Sequence, residues 1–413
     1  MSSTPSKANN ITITKSLISE PLKDEESQRT RQVFFLGHHF SLRYVIYAFI
    51  FLLAISIFAV DSFMTRSRTS LSLDSPIHLS GVKFLSFFED NIQAIDAINS
   101  KKISNKCLMQ NSYYENFRFF LNTLSLETSV TQCEILTRDV FALDYVHSHN
   151  DYWRTLPLYD AIIHGVNSVE ADIWLIKTKN KETYLAVGHN DKYLKPTQRN
   201  LRTLYINPLL DILDQINDNS SKLNGVFFNS PEKPLIIYID FKDHNPNNLV
   251  AYEELLKELE PLRKYLTTTL DFEKNHYKPL VIQLTGDYPK LSNYEDYIFL
   301  DSSLISIYNR ETEFRSPVVS ESFNNMLKFC HGESIDGSTA LRLLTKKAIS
   351  LSEREIICMS EIISNAHKQN YKVRLWGVPQ FPIYNRNHLW RQQLEELEVD
   401  YLNVDDLDAV TKF

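Results

Sequence analysis

A chain of 413 residues that is 43% hydrophobic and 23% charged has the length for one large domain with accessory segments and the composition of a globular protein. Its net charge of −7 supplies no overall basic field, which excludes nucleic acid as a partner on composition. Only 9 glycines against 21 tyrosines and 24 phenylalanines exclude a collagen-like or low-complexity chain.

The polar N-terminal residues, 1–43, read as a disordered cytoplasmic tail, rich in Ser, Thr, Lys and Glu over most of their length. Tyr44–Val60, YVIYAFIFLLAISIFAV, is free of charge and predicts a transmembrane helix acting as a signal anchor, with a cleaved signal peptide as the alternative. Lys23, Arg29, Arg31 and Arg43 precede it and Arg66 and Arg68 follow. The positive-inside rule then expects a single-pass membrane protein with its large C-terminal part lumenal or extracellular. Cys107, Cys133, Cys330 and Cys358 all follow the span, and the sequon Asn219-Ser220-Ser221 lies in a polar stretch; both lean the same way. Residues 61–140, with apolar stretches at Val82–Ile98 and Asn116–Leu126, are expected to form a helical stalk packing on the main domain.

From residue 141 onward, short β-branched or aromatic runs alternate with amphipathic segments, the pattern of βα units and a parallel sheet. The strand-like runs are Leu143–Val146, Ser168–Leu175, Tyr184–Val187, Leu235–Phe241, Leu280–Leu284, Tyr297–Leu300, Lys372–Trp376 and Tyr401–Val404. Helices are expected at Leu156–His164, Leu209–Ile216, Leu249–Leu262 and Glu353–His367. The count fits an α/β fold of the (β/α)8 TIM-like barrel type over residues 141–413, near the usual size of about 250 residues. A doubly wound open sheet is the alternative, and the glycine-rich dinucleotide fingerprint is absent.

Barrel enzymes place their chemistry at the C-terminal ends of strands. Here those ends carry His147-Ser148-His149-Asn150, Glu170-Ala171-Asp172, Gly188-His189-Asn190, Asp240-Phe241-Lys242 and Asn403-Val404-Asp405. Side chains at i and i+2 of a strand share a face, so Glu170 and Asp172 point together, as do Asp240 and Lys242. Converging carboxylates repel one another unless a cation binds them. With the Asn150 amide, Glu170, Asp172 and Asp240 form an all-oxygen set that suits Mg²⁺ or Ca²⁺. His149 and His189 supply an acid–base pair, and a metal beside a lysine suits a phosphoryl group. Lys242, His147, Arg154 and Trp376 are the candidate substrate-binding residues. Each feature also has a bland reading: a strand-end histidine is often structural, Glu-x-Asp arises by chance, and Asp240 with Lys242 can be an ion pair. Their joint occurrence at successive strand ends selects the catalytic reading.

The segments Ser148-His149-Asn150-Asp151-Tyr152, Ser168–Trp174 and Val187-Gly188-His189 resemble the active-site framework of phosphoinositide-specific phospholipases C. They are also similar to glycerophosphodiester phosphodiesterases and sphingomyelinase D-like enzymes. The longer run HSHNDYWRTLPL, VEADIW, LAVGHN, YINPLLDILDQIN, GVFFNSPEKPLIIYIDFKD and VRLWGVP resembles the fungal altered inheritance of mitochondria protein 6 family from about residue 144 to the C-terminus. The resemblance implies that His149 stabilises or protonates the phosphate with His189 as its partner. It implies Asn150, Glu170, Asp172 and Asp240 as metal ligands and Lys242 as a phosphate contact. Two departures stand out. Asn150 replaces the arginine of glycerophosphodiesterases, and Asp240 is one methylene shorter than the glutamate usual there. No phospholipase C accessory module is recognisable, so phosphoinositide is not implied as the substrate.

The function expected is therefore a metal-dependent phosphoric diester hydrolase acting on a lipid or glycerophosphodiester-type substrate, with phospholipid among its partners. Two alternatives remain open. A zinc amidohydrolase would use His147, His149 and Asp405, and a non-catalytic barrel would bind a lipid head group or a protein.

Overall fold

The computed structural model describes residues 76–96, 112–218, 220–243, 247–309, 316–332 and 350–413. Among them, the β-branched and aromatic runs form nine strands: β1 (Val146–Ser148), β2 (Ser168–Lys177), β3 (Thr183–Val187), β4 (Leu235–Phe241), β5 (Leu280–Gly286), β6 (Ile298–Leu300), β7 (Val318–Ser322), β8 (Lys372–Trp376) and β9 (Tyr401–Val404). Eight of them are parallel, in the order β6-β5-β4-β2-β1-β9-β8-β7, and β3 pairs antiparallel with β2. The first and last parallel strands are neighbours, with Ser148 opposite Val404. The two ends of the curled sheet meet through one parallel bridge between Ser303 and Ser320, supported by the Ser320 N–H donating to the Ser302 carbonyl at 3.0 Å. This is the sequential strand order of a TIM-like α/β fold.

Among the described residues, three helices precede the sheet: α1 (Gly81–Asp90), α2 (Tyr113–Thr128) and α3 (Gln132–Thr137). The others follow strands: α4 (Tyr159–Ile163), α5 (Asn207–Asn217), α6 (Asn247–Leu259), α7 (Thr269–Glu273), α8 (Leu304–Tyr308), α9 (Phe323–His331), α10 (Glu353–Lys368), α11 (Ile383–Arg391) and α12 (Leu407–Val410). Capping boxes start α2 (Ser112 with Glu115) and α10 (Ser352 with Glu355), satisfying backbone N–H groups that a helix start leaves unpaired. α1 and α2 join the barrel's helical layer through aromatic contacts, Phe88 to Phe117 at 5.1 Å and Phe117 to Tyr159 at 5.2 Å. An Arg118–Asp211 ion pair at 2.6 Å ties α2 to α5. A disulfide joins Cys330 of α9 to Cys358 of α10, while Cys133 is a buried free thiol. Cys107 and Asn219 lie outside the described residues.

Ile236, Tyr238, Val281, Phe299, Val318 and Tyr401 form a separate apolar cluster. All but Tyr238 sit in the first or second position of their strands, so they plug the N-terminal end of the barrel. Polar inward positions are thereby confined to the other end.

Three expectations need correction. Tyr184–Val187 is not a barrel strand: the link from Lys177 to Thr183 is far too short for a parallel crossover, and the run folds back as a hairpin. The eighth parallel strand is β7, whose sequence VVSES has only two apolar residues. The single-pass membrane assignment is not supported, because among the described residues no helix is long and apolar enough to cross a membrane; Tyr44–Val60 lies outside those residues.

Candidate active site

Above the apolar plug the inward side chains become polar while remaining buried: His147, Glu170, Gln283, Ser320, Arg374 and Asn403. Arg374 spans this layer. Its guanidinium donates to Ser320 Oγ at 3.0 Å and Asn403 Oδ1 at 3.1 Å, and lies over the Tyr238 ring at 4.4 Å. Its Asp301 partner is 3.5 Å away. His147 is fully buried here, with Nδ1 2.8 Å from Ser168 Oγ and its ring edge-on to Tyr238. Burial, then the charge of Arg374, pushes its pKa well below the ordinary value, so the ring is neutral. His147 is therefore a core residue beneath the site, and among the described residues it is not part of the metal-capable group.

The acidic cluster spans this layer, through Glu170, and the C-terminal strand ends, through Asp172 and Asp240. Ligand-capable oxygens of Glu170, Asp172 and Asp240 lie within 4.8 Å of one another. The period of two along β2 brings Glu170 and Asp172 inward together, and parallel register sets Asp172 beside Asp240 on β4. Glu170 Oε2 accepts the Asn150 backbone N–H at 2.9 Å. Asn150 itself sits in the left-handed region at φ 47°, a conformation asparagine tolerates, and so turns the chain over the strand end. Asp172 Oδ2 accepts the Tyr152 hydroxyl at 2.6 Å and stands 3.1 Å from both His189 Nδ1 and Lys242 Nζ. Asp240 Oδ2 accepts from Lys242 Nζ at 2.8 Å.

Burial, with the charge of Glu170, raises the Asp172 pKa, and burial pushes Asp240 up to about 6 against the pull of Lys242. Burial opposes the ammonium of Lys242, but Asp240 and Asp172 outweigh it and raise its pKa. Asp172 Oδ1 is buried without a hydrogen-bond partner. Across the site, a Cβ on Gly286 would lie 2.1 Å from Asp240 Oδ1, so the missing side chain keeps that carboxylate edge clear. An orphaned buried oxygen within an all-carboxylate set is the donor chemistry of a hard cation, and Glu170, Asp172 and Asp240 can hold a metal ion. Among the described residues this group contains no histidine, in contrast to a zinc hydrolase site.

The two catalytic candidates flank the cluster. His149 Nδ1 lies 2.7 Å from Asp405 Oδ1, and its Nε2 lies 3.9 Å from Glu170 Oε2. Burial lowers its pKa, but the Asp405 hydrogen bond and the charges of Glu170 and Asp405 win and raise it. His189, at the end of the β3 hairpin arm, turns Nδ1 to Asp172 and Tyr152, and its ring meets Trp153 edge-on at 5.4 Å. A cavity of about 370 Å³ opens beside it, lined by Tyr152, Trp153, Val187, Tyr193 and Arg199 among others. Lys242 is drawn into the carboxylates. The guanidinium of Arg154 is spent on Ser148 Oγ at 2.9 Å and the Asp405 carbonyl at 3.0 Å, strapping the β1 loop to the β9 end. Trp376 stands exposed at the tip of β8. Trp153, Tyr193, Phe381, Ile383 and Tyr384 are likewise exposed, on segments that follow β1, β3 and β8.

Three contributors have roles that the sequence did not assign. Tyr152 bonds Asn150 Oδ1 at 2.5 Å as well as Asp172, so one hydroxyl links two candidate ligands. Asp405 orients His149, and Arg374 braces the floor. A signal existed for Asp405, since in a closed barrel the last strand end lies beside the first.

Residues 134–300 match the AIM6-like phosphodiesterase domain, so the fold carries a phosphodiesterase-type domain. The chain is 34% identical over 358 residues to Altered inheritance of mitochondria protein 6 of Eremothecium gossypii, covering 82% of this chain and 87% of that relative. The protein of the same name from Zygosaccharomyces rouxii is 35% identical over 360 residues, covering 80% and 85%. That of Saccharomyces cerevisiae strain RM11-1a is 33% identical over 356 residues, covering 80% and 86%. The chain belongs to the altered inheritance of mitochondria protein 6 family.

Proposed function

We propose that the protein is a metal-dependent phosphoric diester hydrolase acting on a lipid or glycerophosphodiester-type substrate. The observation that carries this reading is the orphaned, buried Oδ1 of Asp172, within a carboxylate cluster flanked by two histidines whose Nδ1 atoms both face carboxylates. Glu170, Asp172 and Asp240, with the Asn150 amide beside them, would hold Mg²⁺ or Ca²⁺. When bound, such an ion neutralises the phosphate and lowers the pKa of the attacking oxygen.

The chain's own groups do the rest. Asp405 keeps the His149 proton on Nδ1 and favours the imidazolium, so Nε2–H is available to donate to the phosphate and to the leaving oxygen. Asp172 holds the His189 ring by Nδ1, leaving its Nε2 to take the proton from an attacking water or hydroxyl. The oxygen–phosphorus bond forms as the bond to the leaving oxygen breaks, and that oxygen departs with the His149 proton. The exposed apolar side chains Trp153, Tyr193, Trp376, Phe381, Ile383 and Tyr384, on segments that follow strands of this barrel end, support a substrate with an apolar part.

The test is turnover of a phosphodiester panel by the full-length protein with Mg²⁺ or Ca²⁺. Cation-dependent hydrolysis is expected, falling at least about a hundredfold in His149→Ala. No turnover on any member, or undiminished turnover in that variant, would contradict the proposal.

A further inference from the structure

Lys242 touches the acidic cluster through two bonds, to Asp240 Oδ2 at 2.8 Å and Asp172 Oδ2 at 3.1 Å. Both fall on Oδ2 atoms. The Oδ1 atom of Asp172 is left buried and without a hydrogen-bond partner. With the Tyr152 hydroxyl and His189 Nδ1, which meet the same Oδ2, the ammonium leaves the other edge of Asp172 free. It also changes the charge of the site. Glu170, Asp172 and Asp240 in their ionised forms carry three negative charges, and Lys242 leaves two, the charge of one divalent ion. Two neighbouring cations have carboxylate partners outside the cluster, although His149 also stands 3.9 Å from Glu170 Oε2. His149 is matched by Asp405 at 2.7 Å and Arg374 by Asp301 at 3.5 Å, whereas no further carboxylate is bonded to Lys242 among the described residues.

Building on the cation-site reading above, we propose that Lys242 is a resident positive charge of that site, which matches it to a single divalent ion and discriminates against ions of higher charge. Repulsion between a fixed unit charge and a bound ion grows in proportion to the ion's charge. Removing Lys242 therefore helps a trivalent ion more than a divalent one. It also loosens the two aspartates, but that loss falls alike on ions of similar size and cancels in a ratio of affinities. The ratio isolates the charge effect from the geometric one.

Ca²⁺ and Tb³⁺ are similar in size and serve as the probes. Their affinities for the full-length protein are measured by calorimetry and by competition of Ca²⁺ against Tb³⁺ luminescence, with thermal melts confirming that each variant is folded. In Lys242→Met and Lys242→Gln the preference for Tb³⁺ over Ca²⁺ is expected to rise at least about tenfold over wild type, while Lys242→Arg stays within about twofold. An unchanged ratio in both neutral variants, in a protein that still binds both ions, overturns the role of Lys242 and leaves the cation site standing. A wild-type protein that binds neither ion removes the cation site and this inference with it.

Discussion

His149 is held between two carboxylates of different kinds. Asp405 is exposed and bonded to Nδ1, whereas Glu170 is buried and faces Nε2. The raised pKa has a definite sign for pH dependence. Because the folded value lies above the ordinary one near 6.5, the His149–Asp405 interaction stabilises the fold fully below that pH and is lost as pH rises through the folded value. The reactive imidazolium is lost over the same interval, so turnover should decline there. In Asp405→Asn the chief raising contribution disappears. The His149 titration, followed by NMR of the ring protons, should move to lower pH, and the alkaline limb of the rate profile should move with it. A titration unmoved by Asp405→Asn would mean that Asp405 does not set the state of His149. At this scale, much of the site was legible. Glu170, Asp172, Asp240 and Lys242 come together as strand periodicity implies, and His149 and His189 flank them from strand ends. His147 and Arg154 read as substrate contacts because sequence gives the strand end but not the layer. One ring lies beneath the site, and one guanidinium is consumed as a strap.

The pairing of β4 with β5 sets one wall of the site, and Gly286 packs closely against Asp240 and Phe241 there. At φ 73° the residue is in the left-handed region, and a Cβ there would meet the Phe241 carbonyl oxygen at 2.6 Å as well as Asp240. Gly286→Ala should therefore destabilise the protein by about 2 kcal/mol or more in urea unfolding, from backbone strain alone. It should also weaken divalent-cation binding about tenfold through displacement of Asp240. Wild-type stability with wild-type cation affinity would show that the wall yields without cost. Element types were easiest to read where both faces of a strand are buried, as in LIIYIDF of β4. They failed at β3 and β7 for opposite reasons. β3 has strand composition but a link too short for a crossover. β7 turns Ser320 and Ser322 toward the polar half of the barrel and so lacks an apolar run. The two errors cancelled in the strand count.

Across the whole molecule, an apolar plug fills one end of the barrel and a polar chamber the other, and the N-terminal helices α1 to α3 complete the outer layer. This division concentrates titratable groups where the strands end. Ring closure makes neighbours of Asp405 and His149, 256 residues apart in sequence. Local patterns reveal strands and their faces, while the closure, the antiparallel arm that carries His189 and the Cys330–Cys358 link depend on contacts distant in sequence. Residues 134–300 match the AIM6-like phosphodiesterase domain. The chemistry depends on whether three carboxylates share one ion. Anomalous diffraction from crystals of the full-length protein soaked in Mn²⁺ tests that most directly. One peak is predicted among Glu170, Asp172 Oδ1 and Asp240, at about 2.0–2.6 Å from their oxygens. No peak there, in a protein that nevertheless hydrolyses a phosphodiester, would contradict the account.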